Sequence, residues 1–243
     1  MTLLTLNEVG KRFDNGTEAL AALRLEVADG EFVSLLGPSG CGKSTALRLI
    51  AGLIAPDSGR IQWHGSRPEL GFVFQEPTLM PWADARTNVR LPLDLKKMPR
   101  TEGDARAIRA LARIGLQDFA HAYPRELSGG MKMRVSIARA LAAEPRLLLM
   151  DEPFAALDEP TRQSLNDDLL RLAHEDRITV IFVTHSVMEA SYLSDRVLVM
   201  SPRPGRIKAE VGLDLPPRGP GFRLTADFAQ AQARVAEALL EAA

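Results

Sequence analysis

Apolar and polar residues alternate along positions 2–34 (Leu4, Leu6 and Val9, then Leu23, Leu25 and Val27), and the alternation breaks at Asp14-Asn15-Gly16 and Asp29-Gly30. A period of two puts every second side chain on one face of a strand, and Asn-Gly and Asp-Gly favour turns. Half-exposed strands in an antiparallel β layer are therefore predicted. Three later runs are continuously apolar: 32–36 (FVSLL), 147–150 (LLLM) and 178–183 (ITVIFV), and VLVM at 197–200 is similar. Such runs fit strands covered on both faces in a mostly parallel sheet, although a short buried helix segment would read the same way. Helical periodicity lies between them at 43–53, 104–115, 131–143, 159–174 and 186–193. Strands and helices in this order predict a three-layer α/β core. From Pro77 to Ala143 the pattern is mainly helical, which predicts an inserted helical subdomain at about 77–143. After Ser201 the chain turns to PRPGR and PPRGPG before an Ala/Glu/Leu helix at 225–242. The expected organisation is a domain over 1–205, then a turn-rich linker and helix over 206–243. No internal repeat is found.

A hydrophobic content of 46% over 243 residues supports a substantial core. With 30 Lys+Arg against 31 Asp+Glu, the overall charge balance does not point to a nucleic-acid surface. The N-terminal MTLLTLNEVGKRF has no cationic run before its short apolar stretch, and no segment approaches the roughly 20 apolar residues that span a bilayer. A cytoplasmic location is expected. The single cysteine, Cys41, excludes an intrachain disulfide and a multi-cysteine zinc site, and His64, His121, His174 and His185 lack ligand-like spacing.

Directly after FVSLL comes Gly37-Pro38-Ser39-Gly40-Cys41-Gly42-Lys43-Ser44-Thr45, which fits G-x-x-x-x-G-K-[ST] with a strand before and a helix after. Glycines let backbone N–H groups turn around a phosphate, and the following helix points its positive end at the same place. In that arrangement Lys43 contacts the β- and γ-phosphates and the Ser44 hydroxyl is a ligand of Mg²⁺. This places a P-loop NTPase core in the chain, and kinases, GTPases and motor ATPases all remain open. Cys41 lies inside the loop, either as a thiolate near a helix N-terminus or as a small packing residue behind it. Further on, LLLM ends in Asp151-Glu152, two carboxylates at the C-terminal edge of a parallel sheet. Asp151 suits Mg²⁺ binding through water, and Glu152 suits the polarisation of an attacking water.

Leu127-Ser128-Gly129-Gly130-Met131 at the start of a helix reads physically as a second anion site, a Ser N-cap followed by glycine amides. The sequence resembles the signature of the ATP-binding-cassette (ABC) family. That resemblance implies two copies of the chain sandwiching two ATP, each held by one P-loop and one opposing signature. In the family's order, Phe13 matches the adenine-stacking aromatic, although a core aromatic would look identical. Gln75 in Gly71-Phe-Val-Phe-Gln matches the glutamine that senses Mg²⁺ and water, and Ala155-Ala156-Leu157-Asp158 matches the D-loop that crosses to the partner. His185 matches the switch histidine at the γ-phosphate. The chain departs from the common pattern at Met131, where Gln is frequent, and at Ala155, where Ser is frequent.

Both departures, together with Leu79-Met80-Pro81-Trp82, Glu152-Pro-Phe-Ala-Ala-Leu-Asp158 and Met200-Ser-Pro-Arg-Pro-Gly-Arg206, resemble the branch that imports nitrate, taurine and aliphatic sulfonates. The resemblance implies transmembrane permease subunits, a separate solute-binding protein, and a peripheral position on the cytoplasmic face of the bacterial inner membrane. Two prolines around Leu79 and Met80 predict an irregular loop, either pinned to the helical subdomain or exposed to the permease. An ABC ATPase acting on nucleic acid usually carries long coiled coils or a second cassette, for which this length leaves no room. A small-molecule P-loop kinase has no role for LSGGM or His185.

Overall fold

In the computed structural model, which describes residues 1–219 and 221–242, the alternating N-terminal segment forms β1 (Thr2–Arg12) and β2 (Glu18–Ala28), paired antiparallel. Leu4, Leu6, Val9, Leu20, Leu23 and Val27 are buried, so the period-two pattern marks the covered face. β4 (Ser58–Trp63) completes a three-stranded sheet in the order β2-β1-β4. This strand has no buried residue and hence no apolar signature in the sequence.

The chain divides into two compact units, Met1–Arg67 with the chain from Ala173 onward, and Pro68–Leu172. In the first unit, β3 (Phe32–Leu36) lies between β7 (Thr179–Thr184) and β8 (Arg196–Met200), parallel to both. All of their residues except Arg196 are buried, as the unbroken apolar runs require. β9 (Ile207–Gly212) adds antiparallel to β8. The turn-rich composition after Ser201 assigns these residues to a linker, whereas they extend the sheet. β9 alternates half-buried and exposed residues, with only Val211 buried, and sits at the sheet margin, so it carries no continuous apolar run.

Helices α1 (Lys43–Ile50), α6 (Val187–Leu193) and α7 (Ala226–Glu241) belong to the same unit. α7 is part of the core: Ala231, Val235 and Ala238 pack with Leu36, Ala190, Val197, Val199 and Val211. Phe222 and Phe228 close an aromatic cluster on Tyr192, with ring centroids 5.6–6.1 Å apart.

In the second unit, β5 (Leu70–Val73) runs parallel to β6 (Leu147–Asp151). Three helices accompany them, α2 (Ala85–Leu95), α3 (Arg100–Arg113) and α4 (Gly129–Leu141), and α5 (Glu159–Asp176) begins here and ends in the first unit. The helical stretch expected from Pro77 to Ala143 thus resolves into three α-helices and two short 3-10 turns, the first α-helix starting at an Asp84 N-cap that accepts from the Thr87 N–H at 2.8 Å.

Candidate functional site

Each unit carries one group of the residues singled out from the sequence. In the first, Leu36 is in register with Thr184, so Gly37 and His185 leave neighbouring strands at the same C-terminal sheet edge, where ligands of parallel sheets bind. Gly37 through Gly42 bridge β3 to α1, and Lys43 opens the helix. Gly40 and Gly42 have φ of 76° and 111°, a left-handed backbone that a side chain would strain. Gly42 is the N-cap of α1 and no side chain caps that helix, a glycine-led helix start of the kind that suits an anion. The Lys43 side chain is buried and folded back, its Nζ donating to the Gly37 and Pro38 carbonyls at 2.7 and 3.0 Å. Ser44 and Thr45 follow in the first turn, half-buried.

Ser39 and Gly40 are exposed while Cys41 is 1% exposed, so the thiol belongs behind the loop as a packing group. A Cβ on Gly37 would lie 3.2 Å from its Sγ. Phe13 is 38% exposed in the β1–β2 turn, closed by Phe13 N–H to Thr17 O at 2.9 Å, and is not a core aromatic. His185 is exposed at the tip of β7. The turn around it is fixed by the Ser186 N–H donating to Thr184 Oγ1 at 3.0 Å, and by the Thr184 hydroxyl donating to buried Glu189.

In the second unit, Asp151 ends β6 with 7% exposure, and the next residue, Glu152, has φ of 45°. A non-glycine residue in that region is held against its preference, a pattern concentrated at functional sites. Gln75 is exposed two residues beyond β5. Ser128 caps α4, its Oγ accepting from the Met131 N–H at 3.2 Å, and Gly129 is exposed in the first turn. Gly130 has a second, purely steric reason: a Cβ there would lie 2.5 Å from Thr161 Cγ2 in α5. Asp158 caps α5, accepting from the Thr161 N–H at 2.9 Å, and bonding to Thr161 holds its carboxyl below the usual range.

The sequence gives no hint of Arg139, whose guanidinium bonds Pro77 O, Thr78 O and Thr78 Oγ1, each at 2.9 Å. Only its position as a cation within the largely apolar stretch of α4 could have marked it. Buried Asn88 likewise pins the loop beyond Gln75. Its amide donates to Met80 O at 3.2 Å and Ala83 O at 3.0 Å, and its Oδ1 accepts from the Met80 N–H at 2.7 Å. Leu79 and Met80 are half-buried in that loop, and Trp82 stands 77% exposed.

Residues 20–155 match the family profile described as ABC transporter. The aliphatic sulfonates import ATP-binding protein of Xanthomonas axonopodis pv. citri is 47% identical, over 88% of this chain and 86% of that protein. The taurine import ATP-binding protein of Roseobacter denitrificans is 44% identical, over 88% and 83%. Among solved structures, a dimeric ATP-binding cassette in a post-hydrolysis state with ADP and Pi superposes with a TM-score of 0.78 at 36% identity, covering 89% of this chain and all of that one.

Proposed function

Because the chain belongs to the ABC transporter family and is an ATP-hydrolysing, ATP-binding subunit, we propose that it powers uptake of a small solute such as nitrate, taurine or an aliphatic sulfonate. Two copies close around two ATP, and a membrane permease converts the closure into transport. The observation that carries the reading is the presence, in one chain, of two glycine-rich helix starts: the Gly40–Lys43 turn at α1, and Ser128-Gly129 at α4. One chain needs only one phosphate loop, and the second start is explained by a phosphate held by another copy.

In this reading Gly37, Pro38, Ser39, Gly40, Cys41, Gly42, Lys43, Ser44 and Thr45 surround the phosphates. Lys43 exchanges its two carbonyl partners for phosphate oxygens. Phe13 stacks on adenine, Ser128, Gly129 and Gly130 meet the partner's γ-phosphate, and Asp158 lies at the crossing to the partner. The oxygen donors Ser44, Asp151 and Gln75 suit Mg²⁺, a hard cation that takes carboxylate, hydroxyl and amide oxygens. When bound, the ion neutralises charge on the phosphates. Glu152 accepts the proton of the attacking water, Gln75 orients that water, and His185 reads the γ-phosphate. No helix among the described residues is long and apolar enough to cross a membrane, so the permease would hold the subunit at the cytoplasmic face of the inner membrane. A solute-binding protein would deliver the cargo.

The Arg139 and Asn88 bonds hold the segment after Gln75 rigid and leave Trp82 in the open, which suits a docking surface for the permease. Pull-down from native membranes should recover a multi-spanning permease, and the complex in proteoliposomes should take up taurine or alkanesulfonate only with ATP. Leu79→Ser should lose the permease or uncouple uptake while keeping soluble ATPase activity. Recovery of a nucleic-acid complex, or a fall in melting temperature without loss of coupling in Leu79→Ser, would overturn the reading or its docking surface respectively.

A further inference from the structure

The turn between β8 and β9 closes on itself and presses on the phosphate loop. The Ser201 N–H donates to Arg206 O at 2.9 Å, the Ser201 hydroxyl to Pro204 O at 3.2 Å, and the Arg206 N–H to Ser201 Oγ at 3.1 Å. It is stitched to β2 by the Gly205 N–H to Ala19 O at 2.9 Å and the Ala21 N–H to Gly205 O at 3.2 Å. Gly205 sits so close to the loop that a Cβ there would lie 2.2 Å from Cys41 O. From this fixed base Arg203 reaches the loop: its Nε and one terminal nitrogen both donate to the Gly40 carbonyl, at 3.0 and 2.9 Å.

We propose that Arg203 is a positioning residue for ATP binding, gripping the Gly40 carbonyl so that the Gly40–Cys41 peptide presents its N–H to the phosphates. The proposal rests on residues 37–45 being the phosphate loop. Its physical basis is the planar peptide: the Gly40 C=O and the Cys41 N–H belong to one rigid unit and point opposite ways, so holding one aims the other. The Cys41 N–H faces Pro38 O at 3.3 Å, a long bond that a phosphate oxygen can replace. Gly40, at φ of 76°, has no side chain of its own to fix that peptide. Two charge-assisted bonds from a planar fork do so, and a lysine ammonium cannot reproduce the fork. Arg203 is exposed, so removing it buries no unpaired group, and folding should be little affected.

The test compares wild type, Arg203→Gln, Arg203→Lys and Lys43→Ala in full-length protein, reading ATPase kinetics, ADP affinity by calorimetry and nucleotide-free melting temperature. Arg203→Gln should raise KM for ATP and Kd for ADP by about three- to tenfold, the scale of one ordinary hydrogen bond, because Arg203 acts through the peptide and does not itself bind the nucleotide. Its kcat should change less than its KM, and its melting temperature should stay near wild type. Arg203→Lys should recover only part of the affinity. Unchanged KM and Kd would overturn the proposal, as would full rescue by lysine, or a lowered melting temperature with KM unaltered. Lys43→Ala separates the two levels: if it still binds ADP and hydrolyses ATP as wild type does, the phosphate-loop reading itself fails, whatever Arg203 does.

Discussion

At the scale of single residues, the motif at 37–45 fits a phosphate loop but does not say which of its side chains are open and which are packed away. Cys41 shows the difference. Its place in the motif near a helix start suits a thiolate, yet it is 1% exposed and packs against Gly37 and the turn that carries Gly205. Burial in close-packed surroundings shields a thiol from reagent. Maleimide should therefore label native protein slowly with or without ATP, and stoichiometrically only in denaturant, as mass spectrometry would read. Fast native labelling blocked by ATP would restore the reactive-thiol alternative. Phe13 shows the converse case, since alternation alone cannot separate a core aromatic from one on a turn, and only the fold places its ring in the open.

At the scale of elements, the strongest periodicities became the strands and helices they indicated, and the weak ones were missed for a reason. β4 and β9 have little or nothing buried, so no apolar pattern was required of them, and their strand character comes from pairing with β1 and β8. The α4 start is the more informative case. Ser128-Gly129-Gly130 is legible as a cap and anion site, but the contact of Gly130 with Thr161 depends on how α5 approaches and has no local signal. Gly130→Ala should lower the melting temperature, at a cost of about 1–3 kcal/mol for an overpacked contact. Thr161→Ser, which removes the clashing methyl, should restore most of that loss in the double variant. If the double variant melts no higher than Gly130→Ala, the clash is not the cause.

At the scale of the whole molecule, the proposed sandwich makes hydrolysis and dimer lifetime two readings of one site. Glu152→Gln should keep ATP affinity and lose turnover by roughly 10²–10⁴-fold, the worth of a general base. With MgATP it should run as a dimer on gel filtration, and as a monomer without nucleotide. A variant that stays monomeric at saturating MgATP would exclude the shared site. The sequence by itself determined the α/β class and the buried strands in chain order, and it picked out the phosphate-loop motif at 37–45, the Asp151-Glu152 pair and the capped, glycine-rich helix start at Ser128. Each of these depends on residues close together in the chain: a period, a cap, a glycine spacing, a strand end. Only the tertiary structure decided that α7 completes the core beside Leu36, that Arg139 and Asn88 stiffen the segment after Gln75, and that Arg203 holds Gly40. Arg139 meets its carbonyls 61 and 62 positions away and Arg203 meets Gly40 163 positions away, and no local propensity encodes which distant side chain a backbone carbonyl will meet once the chain is folded.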